Sequence, residues 1–194
     1  MNRKWLVGGV VGALALAALL ALVVGGVVGR SIVPEPSPTE PTTTTFRDTL
    51  TDVAITYPAG WQRRASKDQA VRILVATPDQ TASVSISVRK SDLAQVTAET
   101  LPVVRPLTDD LLKADDRITS VNEPEAVTVG GLPGWRYEYA YRSEGDAEGA
   151  HIHYFLFKRQ RLIQMVMQTV PATLMPSLLP TFGAIVESFR HTPP

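Results

Sequence analysis

Residues 6–29 form an uncharged apolar run of 24 residues, preceded by Arg3 and Lys4 and followed by Arg30, and no other feature constrains the fold of this chain as strongly. An α-helix rising about 1.5 Å per residue needs roughly 20 residues to cross a hydrocarbon core of about 30 Å. The sequence therefore predicts one transmembrane helix over residues 6–29, with residues 1–5 as a short cytoplasmic region. A cleaved secretory signal also opens with basic residues, but its apolar core runs about 7–15 residues. Here the run continues through Val23, Val24, Val27 and Val28, with no A-x-A-like site before Arg30, which favours an uncleaved anchor. The chain has no cysteine, so a lipid-modified cysteine cannot do the anchoring. Arg3, Lys4 and the amino terminus outweigh Arg30 across the span, which predicts a single-pass protein with its amino terminus in the cytoplasm and the rest outside. The pairs Gly8/Gly12 and Gly25/Gly29 have helix-packing spacing, although glycines tolerated in a lone span account for them as well.

Residues 30–45 change abruptly to a Pro/Thr-rich composition without a buried pattern. Proline fixes φ and removes a donor, so such a tract favours extended conformations at about 3 Å per residue and reads as a linker of up to about 40 Å. Threonines clustered with prolines also suit O-glycosylation of an exported stalk.

Residues 46–194 have the length of one domain with its own core. Setting aside Arg3, Lys4, Arg30, Glu35 and Glu40, 16 basic residues face 17 acidic ones, a balance that carries no nucleic-acid footprint. Without cysteine, packing alone must stabilise this domain.

Hydrophobic period reads it as strands first. Val53, Ile55 and Tyr57 alternate with polar neighbours up to Pro58; residues 72–77 form a second run; Val84, Ile86 and Val88 alternate with serines as a third. Pro78-Asp79 marks a hairpin between the last two. Over residues 91–117 the spacing of Leu93, Val96, Leu101, Val104, Leu107, Leu111 and Leu112 becomes helical, with Pro102 and Pro106 expected to break the helix into pieces. Residues 120–129 read as one strand running into a Gly130–Gly134 turn. After it Trp135, Tyr137, Tyr139 and Tyr141 share one strand face. Residues 150–158 follow, then an Arg159-Gln160 turn and a strand over residues 162–170 that is apolar on both faces, as a central strand would be. Leu174, Leu178, Phe182, Ile185, Val186 and Phe189 close the chain with a helix across the sheet. The sum is an α+β domain, an antiparallel sheet of about six or seven strands packed with helices and preceded by one transmembrane helix.

The opening FRDTLTDVAITYPAGW, the GLPGWRYEYAY strand, the hairpin HYFLFKRQRLIQMVMQTV and the closing IVESF, in that order, resemble PsbP-like domains. Within them the chain is most similar to actinobacterial LpqN-type exported proteins, over about residues 46–190. The resemblance implies an extracytoplasmic scaffold that acts by binding other macromolecules, as a photosystem II extrinsic subunit and a Ran-binding import factor do. It carries over no binding residue. LpqN-type proteins are lipoproteins with a lipobox cysteine; in this chain, which has no cysteine, the expected transmembrane helix would take its place.

Candidate chemistry is sparse. His151 and His153 lie two apart on a strand, so both rings face one side and could share a metal, but no third ligand is legible. Ser83, Ser85 and Ser87 lack a nucleophile-elbow pattern and read as a solvated face. Asp109/Asp110 and Asp115/Asp116 lack the order of a calcium loop. Lys158, Arg159 and Arg161 crowd a hairpin tip, and Arg63, Arg64 and Lys67 follow Trp61; either group could meet anionic headgroups or an acidic partner, with solubilising charge as the plainer account. The stripe Trp135, Tyr137, Tyr139 and Tyr141 is sheet core or the wall of an apolar pocket.

No catalytic motif and no cofactor site are legible. The expected function is a noncatalytic binding or adaptor module that engages an envelope protein complex. Its ligand or partner surface would be Trp135, Tyr137, Tyr139, Tyr141, Lys158, Arg159 and Arg161. A small apolar-ligand or lipid binder is the first alternative, and a hydrolytic or metal-assisted enzyme around His151 and His153 the second.

Overall fold

The computed structural model describes residues 42–143 and 145–191. Residues 1–5, the span expected over residues 6–29 and most of the 30–45 tract lie outside the described residues. Among the described residues no helix is long and apolar enough to cross a membrane.

Alternation of apolar and polar residues builds the hairpins in chain order. The strands are β1 (Thr43–Asp48), β2 (Val53–Pro58), β3 (Gln62–Arg63), β4 (Val71–Ala76), β5 (Ala82–Lys90), β6 (Ile118–Val121), β7 (Glu125–Val129), β8 (Leu132–Arg142), β9 (Glu148–Lys158), β10 (Arg161–Thr169) and β11 (Arg190–His191). Among the described residues two α-helices interrupt them, α1 (Leu101–Lys113) and α2 (Met175–Ser188), the second entered through a 3-10 turn at Ala172–Leu174. Every strand pair is antiparallel. The main sheet runs β3-β4-β5-β10-β9-β8-β6, with β7 also paired to β8, and β1-β2-β11 form a separate three-stranded sheet. The fold is thus α+β with antiparallel sheets and few helices, but it has two sheets where the sequence predicts one of six or seven strands. The strands the periodicity misses are β3 and β11, of two residues each, and β1, whose Thr43–Thr45 portion belongs to the Pro/Thr tract. Threonine is β-branched and suits a strand, and Phe46 faces Ile55 across the pair.

Strand β10 is central, and its two faces feed different cores. Ile163, Met165 and Met167 join Val84, Ile86, Leu156 and the buried Val53 and Ile55 of β2. Phe182, Ile185 and Phe189 from α2 and its C-terminal end close this layer. The Ser188 hydroxyl accepts the Thr56 amide at 2.8 Å and fastens α2 to β2. Leu162, one residue before Ile163, belongs to the opposite cluster, with Phe155, Phe157, Trp135 and Tyr137 under α1.

Helix α1 is continuous, contrary to the expectation that two prolines break it. Pro102 occupies the first turn, where its missing N–H has no intrahelical partner to lose. Pro106 lies in the helix on its exposed side, so it forfeits one hydrogen bond without driving its ring into the core. The buried positions are Leu101, Val104, Thr108 and Leu112. Leu107 and Leu111, which the helical spacing counts with the core, are 40% and 42% exposed. Residues 118–129 form two strands and not one, because β6 pairs with the far end of β8 (Val121 with Tyr139) and β7 with its near end (Glu125 with Arg136). The β7–β8 turn is only Gly130-Gly131, at φ of 58° and 83°, a two-residue hairpin that glycine adopts without strain.

Candidate functional site

The face of the main sheet under α1 carries the aromatic stripe, and the helix divides it. Trp135 lies beneath the start of α1, its indole Nε1–H donating to the Leu101 carbonyl at 3.2 Å with the Arg105 guanidinium 5.7 Å from its ring centroid. Tyr137 is buried below the middle of α1; its hydroxyl donates to Asp109 Oδ1 at 2.6 Å and stands 2.6 Å from Thr108 Oγ1. Both rings are helix-anchoring core. Tyr141 packs on His151 with centroids 4.2 Å apart and covers Gly149 on the neighbouring strand. Of the stripe, only Tyr139 lines the principal cleft.

That cleft has a volume of about 730 Å³ and opens beside α1. Its walls are Leu93 from the segment before the helix and Leu107, Leu111 and Leu112 from the helix itself. Its floor is polar at the centre, with His153, Gln164 and Tyr139 between Phe155 and Leu162, and Arg89, Lys90, Asp92 and Asp115 stand at its rim. The floor is assembled by register: Tyr137 faces His153 across β8 and β9, and Phe155 faces Gln164 across β9 and β10.

Lys158, Arg159 and Arg161 surround a neighbouring depression of about 560 Å³ together with Asp52 and Lys90. Lys90, Ser91 and Asp92 border both hollows, so the basic hairpin tip adjoins the cleft. Burial, and then the charges of Arg161 and Arg159, lower the Lys158 pKa, against the opposing effect of Asp52.

One hydroxyl organises the histidines. Tyr139 Oη lies 2.7 Å from His151 Nδ1 and 3.2 Å from His153 Nδ1, and His151 Nε2 lies 3.0 Å from Gln168 Oε1. With the Gln168 oxygen accepting, His151 carries its proton on Nε2 and its bare Nδ1 accepts from Tyr139. The Tyr139 oxygen then accepts from His153 Nδ1–H. This assignment, drawn from the hydrogen-bond network, leaves His153 Nε2 as an unprotonated acceptor. That atom is buried without a hydrogen-bond partner, with the Gln164 side chain close enough to His153 to favour its protonated form. His153 is 7% exposed and stacked on Phe155 at 4.0 Å.

Burial holds both imidazoles neutral. It brings His151 down to about 4, with Gln168 opposing and Arg117 reinforcing, and His153 down to about 3, with His151 reinforcing and Gln164 opposing. Burial also raises the Tyr139 hydroxyl above its ordinary value, so it remains a donor, and raises Tyr141 to about 12. Both Nδ1 atoms turn to Tyr139, and among the described residues no group of three His, Asp or Glu side chains is arranged to hold a metal.

The remaining candidates fall apart in space. Asp109 accepts from Tyr137, Asp110 pairs with Lys113 at 3.6 Å, and Asp115 holds Arg117 through two bonds of 2.9 and 2.7 Å. Ser87 is buried, whereas Ser83 and Ser85 are half-buried. Arg63 lies over the Phe46 ring at 5.0 Å. Sequence reasoning missed Leu93, Leu107, Leu111 and Gln164 as cleft residues. The available signal was the pair Leu107/Leu111, which lies off the face set by Leu101, Val104 and Leu112.

At the level of sequence, no family model and no curated protein matches the chain. Solved structures do resemble it. The solution structure of cyanobacterial PsbP (CyanoP) from Synechocystis sp. PCC 6803 aligns at 16% identity and a TM-score of 0.58, covering 80% of this chain and 95% of that one. LpqN of Mycobacterium tuberculosis, described as involved in cell envelope biogenesis, aligns at 14% identity and a TM-score of 0.56, covering 80% and 93%. The Ran-binding protein Mog1p of Saccharomyces cerevisiae aligns at 9% identity and a TM-score of 0.51, covering 78% and 96%. At these identities the likeness is one of architecture, and the architecture of the described residues is PsbP-like.

Proposed function

We propose that the chain is a noncatalytic binding protein, held on the outer side of the cytoplasmic membrane by residues 6–29, that takes a small apolar ligand into the cleft beside α1. The cleft carries this reading: its volume of about 730 Å³ falls within the range of ligand pockets, about 300–1,000 Å³, and its walls are leucines. Leu107 and Leu111 are large apolar residues left 40% and 42% exposed, and a ligand lying between them would remove that surface from water. The apolar run and the basic residues ahead of it support the location.

Native mass spectrometry of the full chain extracted with its surrounding lipid tests the activity. A retained mass that is lost in Leu111→Arg is expected; an empty protein that also fails to take up added apolar probes would refute it. Protease added to spheroplasts tests the location, with cleavage within residues 30–45 expected and protection of the domain contradicting it.

A second reading, an adaptor that steadies an envelope protein complex, is favoured by a stripe on α1. Val103, 78% exposed, continues the line of Leu107 and Leu111. The fold shared with LpqN, a protein of cell envelope biogenesis, points the same way. Crosslinking in intact cells should return one reproducible envelope protein, and that crosslink should disappear in Val103→Glu. Recovery of the bait alone in repeated experiments would count against it.

A further inference from the structure

We propose, building on the ligand-cleft reading above, that His153 Nε2 is the polar anchor of the cleft and that it selects an uncharged alkyl chain ending in a hydroxyl. Two independent observations meet at this residue. The first is the cleft, whose leucine walls fit a flexible hydrocarbon chain and whose floor is polar only around His153, Gln164 and Tyr139. The second is a buried nitrogen without a partner on a side chain that is 7% exposed and lines that floor. A buried polar atom left unsatisfied is costly, so a ligand that satisfies it gains more than one that merely fills the space.

The protein fixes which kind of group does so. Gln168 orients His151, His151 Nδ1 accepts a hydrogen bond from the Tyr139 hydroxyl, and the Tyr139 oxygen accepts from His153 Nδ1–H, which leaves Nε2 with a lone pair and no hydrogen. The group that completes it must therefore donate. An alkylammonium would bring a charge into a burial that keeps even the imidazole neutral, and a carboxylate has no proton to give and would set lone pair against lone pair. An ether only accepts. A primary hydroxyl donates to His153 Nε2, and its own oxygen can accept from the Gln164 amide, the other polar side chain at the floor. The chain behind it runs outward along Leu93, Leu107 and Leu111.

The test compares three probes of one chain length, 1-octanol, its methyl ether and octanoate, on full-length protein in lipid nanodiscs carrying ¹⁵N-histidine and methyl-labelled leucine. Affinities are referred to free probe concentration. 1-Octanol should move the His153 Nε2 resonance upfield from its unprotonated position and bind about three- to tenfold more tightly than the ether, the worth of one ordinary hydrogen bond. Octanoate should leave that resonance in place. Equal affinity for alcohol and ether with His153 unmoved, while the Leu107 and Leu111 methyls still respond, would overturn the anchor and leave the cleft as a ligand site. Methyls that respond to no probe would overturn both readings. In His153→Phe the alcohol and the ether should become equivalent; a preference kept at the wild-type level would overturn the proposal. Should that variant fail to fold, Tyr139→Phe gives a second check, because it frees the His153 proton to move to Nε2 and should abolish the preference for alcohol.

Discussion

One of the two side chains that tie the sheet to α1 does so through a buried hydroxyl, and removing it with Tyr137→Phe has a cost that follows from its partners. Tyr137 is 1% exposed and Thr108 is fully buried, so water replaces nothing when the phenol oxygen is lost. The phenol proton goes to Asp109 Oδ1 at 2.6 Å, a hydrogen bond to a charged acceptor worth about 1.5–3 kcal/mol. Burial and then Asp109 raise the Tyr137 pKa, so the group is a neutral donor throughout the working range. Two features hold the cost toward the lower end. Asp109 keeps Arg105 at 3.5 Å with its side chain 28% exposed, and Thr108 retains the Arg105 carbonyl at 2.8 Å. The expected loss is therefore about 2 kcal/mol, against about 0.5–1.5 for Thr108→Val, which leaves the bond to Asp109 intact. Urea denaturation of the full chain measures it, with the tryptophans dividing the signal. Trp135 lies under α1, whereas Trp61 meets Phe182 edge-on at 6.1 Å on the opposite face. With Trp5 replaced by Phe, variants retaining only Trp135 or only Trp61 report the two layers separately. Tyr137→Phe should lower the Trp135 transition at least as much as the Trp61 transition. A loss under about 0.5 kcal/mol, or one smaller than that of Thr108→Val, would refute the assignment of Tyr137 as the clamp.

Three further outcomes are expected. His151 and His153 have folded pKa values depressed from 6.5 to about 4 and about 3, so the unfolded chain binds more protons below pH 6.5 and stability falls as the pH drops through that window. The groups around them are Tyr139, Tyr141, Asp115 and Arg117, and between pH 6.5 and 5 the carboxylates contribute little; each imidazole adds up to about 1.4 kcal/mol of loss per pH unit there. The melting temperature of the wild type should therefore fall more steeply over this window than that of His153→Gln, and equal slopes would show that His153 titrates normally. Gly149→Ala should destabilise by more than about 2 kcal/mol, because a Cβ there would lie 2.3 Å from the Tyr141 ring; a thermal melt unchanged from wild type would mean that Tyr141 moves aside at no cost. Pro106→Ala should stabilise α1 by restoring one helical hydrogen bond, read as slower amide exchange at the helix residues flanking position 106, and unchanged or faster exchange there would contradict this.

The strands that alternate over five or more residues were legible because a half-buried pleat writes itself into every second residue. Val53/Ile55/Tyr57, Val84/Ile86/Val88 and the aromatic stripe all occupy the faces their period assigns. The central position of β10 was legible for the converse reason, since Leu162 and Ile163 are both apolar and belong to opposite cores. The continuity of α1 was not, because local propensity counts the hydrogen bond lost at Pro106 but not the packing of Leu101, Val104 and Leu112 on the sheet that offsets it. Thr108 shows the same limit: besides the Arg105 carbonyl of its own helix, its buried hydroxyl meets the Tyr137 hydroxyl across the interface, a partner that the local sequence does not announce. The cleft was hidden because it is made by what α1 fails to cover. Sequence period assigned Leu107 and Leu111 to the core, and the placement of the helix over Trp135 and Tyr137 leaves them at the edge of a hollow. The two histidines were visible as a pair. Their service to one tyrosine depends on register across three strands and carries no local signature.

Both ends of the described chain are fastened to one strand. Thr43 faces Pro58 at one end of β2 and His191 faces Val53 at the other. A pull applied to the chain ahead of Thr43 is therefore borne first by the β1–β2 rungs, in a sheet separate from the one that carries the cleft. The β1–β2 rungs and the floor of the cleft thus belong to different sheets, so tension on the chain can rise until β1 peels away while His153 and its neighbours keep their spacing.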